Sequence, residues 1–127
     1  MTTGRWARSA PWLLAGLLAA AGLTHFLAPA PFVRIVPRAL PARELLVALS
    51  GVVELGCAVL VAVPRTRRVG GWATAALFVV VFPANVQMAL DSGGGPGWYR
   101  TVAWARLPLQ VPLVLWAATV ARRQDRT

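Results

Sequence analysis

The chain has 127 residues, 57% of them hydrophobic and only 13% charged, with a mean hydropathy of +0.62. Soluble domains carry about 25% charged residues, so the composition argues against a soluble fold, for which a fully buried helical bundle is the one alternative. The net charge of +9 comes from arginine alone. Those arginines gather at the ends of apolar runs, without a basic face or recognition motif, which argues against nucleic acid as a partner.

Four apolar runs follow one another, over residues 11–28, 45–63, 70–90 and 102–121. Each is roughly 18–21 residues long, the length a helix needs to cross about 30 Å of hydrocarbon. None alternates as the strands of a membrane barrel do. Arg5 and Arg8 precede the first run and Ala28-Pro29-Ala30 follows it, as in a signal peptide. The prolines at the cleavage point and His25 within the run argue instead for a retained first helix. The connection that follows, PAPFVRIVPRALPARE, mixes apolar residues with arginine and proline. It is expected to lie along the interface or to fold back over the mouth of the bundle.

The second run carries Ser50 and Glu54, which share a helix face at i, i+4 spacing. Its Cys57 has no partner for a disulfide and reads as a small buried apolar side chain. Pro64-Arg65-Thr66-Arg67-Arg68 then makes a tight turn, so the second and third helices are expected to be antiparallel neighbours. The third run ends in FPANVQM, where a proline and two amides interrupt the apolar pattern. Pro83 removes one backbone donor and frees a carbonyl about one turn earlier, close to Asn85. DSGGGPGWYR is glycine-rich and is expected to be mobile. The fourth run places Arg106 and Gln110 on one face. Trp12, Trp72, Trp98, Tyr99 and Trp104 fall near run ends, where interfacial aromatics belong.

The expected fold is all-α: one domain over residues 1–127, a polytopic membrane protein built as an antiparallel bundle of four transmembrane helices. Eight arginines lie in the two termini and the second connection, against four in the first and third connections. That bias predicts cytoplasmic termini in a cell membrane. Counted at 1.5 Å per residue from the outer ends, His25 lies about 5 Å deep, Arg106 about 6 Å, Asn85 about 8 Å, Gln110 about 12 Å and Glu54 about 13 Å. The polar residues of all four runs therefore share one half of the membrane. Intramembrane ionisable groups usually face the bundle interior or a wet cavity. His25, Ser50, Glu54, Asn85, Arg106 and Gln110 accordingly read as an outward-facing polar pocket, with a buried Glu54–Arg106 ion pair. The plainer reading makes the amides interhelical glue and His25 a hydrogen-bonder at a helix end. One histidine and one glutamate are too few for a typical metal site, and no metal or catalytic residue is assigned. Gly16, Ala20, Gly51 and Gly56 permit close helix approach, within the chain or in a homo-oligomer.

In order, GLTHFLAPAPFVRIVP, LVALSGVVELG, FPANVQM and ARLPLQ resemble the DoxX-like family of small bacterial membrane proteins, over residues 22–116. The resemblance implies a four-helix membrane bundle. The family takes its name from a small subunit of a quinol oxidase or thiosulfate:quinone oxidoreductase assembly, and most members have no established activity. His25, Pro29, Ser50, Gly51, Glu54, Pro83, Asn85, Arg106, Pro108 and Gln110 fall at its recurring polar and turn positions. The first expectation is thus a non-catalytic subunit that binds a small amphipathic ligand, with a quinone as candidate cofactor, and serves a redox or stress-response partner. A ligand-free scaffold or assembly factor is the alternative. A proton-coupled transporter or an enzyme using Glu54 and His25 is less favoured, because no polar path continues into the inner half.

Overall fold

The computed structural model describes residues 2–36 and 39–123, and every regular element among them is helical. Helix α1 spans Thr2–Leu27, rich in the strong helix formers alanine and leucine. It ends where Ala28 leaves the helical region, at φ −141° and ψ 71°, ahead of Pro29, which disfavours helical geometry in the residue before it. Pro29 then opens the short helix α2, Pro29–Ile35, from the position where its missing N–H costs nothing. The first connection is therefore partly helical. It packs back on α3 and α5.

Helix α3 spans Arg43–Ala62 and starts from Ala42 in the left-handed region, at φ 52°. Its end is capped by the following turn. Thr66 Oγ1 donates to the Leu60 carbonyl at 2.8 Å, and Arg67 donates to the carbonyls of Val61 at 2.7 Å and Ala62 at 3.0 Å. These are the acceptors a helix C-terminus leaves without intrahelical partners. A 3₁₀ turn, Pro64–Thr66, leads directly into α4, Arg67–Val80. The third run then breaks at Val81 and resumes as α5, Phe82–Asp91, with Pro83 in its first turn. The glycine-rich connection is compact rather than open: Ser92–Gly94 forms a 3₁₀ turn, Ser92 is buried, and its Oγ donates to the Ala89 carbonyl at 2.7 Å. Helix α6 spans Gly97–Arg123, longer at both ends than the apolar run suggested.

Among the described residues, three helical segments are long and apolar enough to cross a membrane: Arg8–Leu27, Arg43–Ala62 and the broken Pro64–Gly94. Helix α6 is not among them. Its 27 residues suffice in length, but Arg100, Arg106, Gln110 and two internal prolines dilute its hydropathy.

α1 packs on α3, α3 on α4, α4 on α6, and α6 closes back on α1. The apolar core joins Leu14 and Leu18 of α1, Val61 of α3, Phe78 of α4, and Ala117 and Val120 of α6. Cys57 lies buried within it. The close approaches rest on glycines. A Cβ at Gly70 would meet the Leu60 and Val61 backbone at 2.7 Å, and one at Gly71 would meet Ala121 N at 2.8 Å. Of the small residues singled out in the sequence, Gly51 makes such an approach, against Phe26 and His25 of α1. Gly16 and Gly56 face open space and Ala20 is exposed. Large apolar side chains point outward from the long helices, including Leu13, Val52, Val79, Val80, Val111 and Leu115. At the end of the bundle opposite α2, Arg67 lies 5.7 Å from the Trp12 ring and Arg122 5.8 Å from the Trp72 ring.

Candidate functional site

Four polar side chains are buried beyond the same end of the apolar core: His25 on α1, Glu54 on α3, Asn85 on α5 and Gln110 on α6. In α1 and in the α4–α5 segment they follow the last core residues Leu18 and Phe78 by two turns. In α3 and α6, which run the other way, they precede Cys57 and Ala117 by one or two turns. They fall into two interhelical pairs, His25 with Glu54 and Asn85 with Gln110.

The first pair joins α1 and α3. His25 Nδ1 lies 2.6 Å from the Ala21 carbonyl and 3.3 Å from Glu54 Oε2. A carbonyl can only accept, so Nδ1 carries the proton it donates to Ala21. That proton is already committed, and Glu54 Oε2 is left buried without a hydrogen bond from any described residue. Gly51 explains the closeness: it sits one turn before Glu54, and a Cβ there would lie 3.0 Å from His25 Cβ. Gly22 matches it from α1, where a Cβ would come within 3.1 Å of the Gly51 carbonyl. Phe32 of α2 covers the imidazole, stacked at 3.9 Å between centroids and 20° between planes.

The second pair joins α5 and α6. Asn85 Nδ2 donates to Gln110 Oε1 at 3.0 Å, and Gln110 Nε2 donates to the Phe78 carbonyl. An uninterrupted helix would pair that carbonyl with the N–H of residue 82. The break at Val81 thus exposes a backbone acceptor, and Gln110 takes it. Pro83 itself lacks the donor that would serve Val79, one residue further on. The amides of FPANVQM and ARLPLQ are the two sides of one interhelical junction.

The other two site residues behave differently. Ser50 is half-buried, and its hydroxyl hydrogen-bonds to none of the described residues. Arg106 is half-buried, and its guanidinium donates to Met88 Sδ at 3.1 Å. The expected Glu54–Arg106 ion pair is not formed; the ionisable partner of Glu54 is His25. The reason is the order of the helices. α6 packs on α4, α5 and α1, whereas glycines draw α3 against α1. Phe32 and Met88 were not anticipated as partners. Pro29 at the start of a proline-rich connection was the available signal that the chain resumes as a helix there, carrying Phe32 back to His25.

Residues 14–121 match the family model of a domain of unknown function (DUF8561). Neither the curated proteins nor the solved structures contain a match to this chain.

Proposed function

The chain belongs to this family of unknown function, and we propose that it is an integral membrane protein, an antiparallel bundle of four transmembrane helices, holding a small amphipathic ligand in a polar pocket in one half of the membrane. Three spanning-length apolar segments and the outward apolar faces support insertion. For α6 to be the fourth span, its amide must face inward. Gln110 is buried, while Leu109, Val111 and Leu115 are exposed.

One observation carries the ligand reading: a carboxylate oxygen of Glu54 is buried beside His25 with no hydrogen-bond donor among the described residues. Buried polar atoms are nearly always satisfied, and each exception calls for an explanation. A ligand that donates to it is that explanation. In keeping with the DoxX-like resemblance, the ligand class is a quinone or its reduced form, the protein is a non-catalytic subunit, and its partner is a redox or stress-response enzyme in the bacterial cell membrane. Purification in native lipid patches, followed by mass spectrometry of the lipid extract, tests this. A stoichiometric small molecule is expected with the wild type and lost with Glu54→Leu. Its absence from the wild type would overturn the ligand reading.

A second reading is favoured by the other pair. The Asn85–Gln110–Phe78 junction is fully used within the chain, as in a scaffold whose polar residues only fix helix register. An extract without ligand, from protein that copurifies tightly with another protein, is the outcome that reading expects.

With the arginine-rich stretch of residues 64–68 and both termini in the cytoplasm, the Ser92–Gly94 turn lies outside. Gly93→Cys, at an exposed position with open space around it, is expected to react with impermeant maleimide in intact cells. Arg65→Cys, in the exposed inner turn, is expected to react only after lysis. The reverse pattern would move the polar pairs to the cytoplasmic half.

A further inference from the structure

Glu54 is 8% exposed, and its Oε2 is aimed at an imidazole whose Nδ1 proton already serves Ala21. His25 Nε2 hydrogen-bonds to no described residue and, in the neutral ring, is an acceptor as well. The pair therefore presents acceptors and calls for a donor.

Charge decides which kind. Arg34 on α2, Arg43 at the start of α3, and Arg100 and Arg106 on α6 all lie toward the same end of the bundle as the pair. Among the described residues these four guanidinium groups outnumber the carboxylates of Glu44 and Asp91 at that end, an excess that disfavours the approach of a cation. The way in through lipid is flanked by exposed Leu23, Phe26, Val52 and Val53, which suits a lipophilic body. Shape narrows the choice further. Phe32 lies nearly parallel to His25 at 3.9 Å, so the imidazole face accepts a flat ring.

We infer that the His25–Glu54 pair takes a neutral, lipophilic phenol, whose ring occupies the Phe32 place over the imidazole and whose hydroxyl donates to Glu54 Oε2. This rests on the ligand reading above and deepens it: the site selects a hydroxylated ring over a ring that carries only carbonyl or ether oxygens. Within the quinone class it selects the reduced, hydroxyl-bearing form.

The test is binding of three probes to the protein in lipid nanodiscs: 4-octylphenol, 4-octylanisole and 4-octylbenzylamine. The phenol is expected to bind about tenfold or more tightly than the anisole, the factor associated with giving a partner to a buried acceptor otherwise left unsatisfied. Glu54→Leu, which removes the acceptor and breaks no side-chain hydrogen bond among the described residues, is expected to bring that ratio near one. Phe32→Ala is expected to strengthen phenol binding by removing its competitor. Equal binding of phenol and anisole by the wild type would overturn the inference and leave the ligand reading intact. Preference for the amine would overturn the neutral-ligand assignment. Failure of all three probes would also overturn the inference, while the ligand reading is decided separately by the lipid extract.

Discussion

Gly71→Val is expected to lower thermal stability more than any other single change considered for this chain. A Cβ at position 71 would stand 2.7 Å from Ala121 Cβ, 2.8 Å from Ala121 N and 2.9 Å from the Ala117 carbonyl. Two of those neighbours are backbone, so no side-chain rotation relieves the overlap, and α4 must move away from α6. Overpacking a well-packed core costs about 1–3 kcal/mol, occasionally more. Valine is a slightly better helix former than glycine, which returns only a few tenths of a kcal/mol. Gly56→Val is the control. Position 56 is exposed, with nothing within 4 Å of an added Cβ, so that variant is expected to melt at or slightly above the wild type in the same detergent. Equal melting of Gly71→Val and Gly56→Val would mean that α4 and α6 are not in contact through Gly71.

The second large effect is expected for Gln110→Leu. This side chain holds two partners, Asn85 and the Phe78 carbonyl, and leucine leaves both buried without it. A buried group left unsatisfied costs about 1–3 kcal/mol in water-soluble proteins. Hydrogen bonds between membrane helices average only about 0.6 kcal/mol and reach about 1.7, so a loss of about 1–3 kcal/mol is expected for the two together. Asn85→Leu removes one of the two bonds and is expected to cost less. Because the residues interact directly, the double variant is expected to lose less than the sum of the singles. A melting series on wild type, both singles and the double measures this. Strict additivity would show that the two amides do not couple.

These two positions differ in how they can be read. Gln110 stands out in the sequence because an amide within an apolar run is costly wherever it faces lipid, and its opposite number in FPANVQM stands out for the same reason. Gly71 does not stand out. Glycine in an apolar helix is common, and Gly16, Gly51, Gly56 and Gly71 look alike until neighbouring helices are placed. Of these four, Gly51 and Gly71 are contact points, while Gly16 and Gly56 face open space.

Local chemistry accounts for what the sequence alone determined. Helix formation along the apolar runs, the stop ahead of Pro29, the turn at Pro64 and the interruption near Pro83 follow from propensity and from proline's missing donor. The placement of His25, Glu54, Asn85 and Gln110 toward one end of the apolar core follows from helical rise and the alternating direction of successive runs. The tertiary structure decided who meets whom. Arg106 and Glu54 are the obvious ion pair by charge, yet Glu54 sits with His25 because Gly22 and Gly51 bring α1 against α3, while α6 packs on α1, α4 and α5. Pro29 signals that the chain resumes as a helix and can fold back, but that Phe32 is the residue stacked on His25 depends on where α2 docks. Depth along one helix is a property of that helix. Pairing is a property of the interfaces, and here glycines spread over three helices set them.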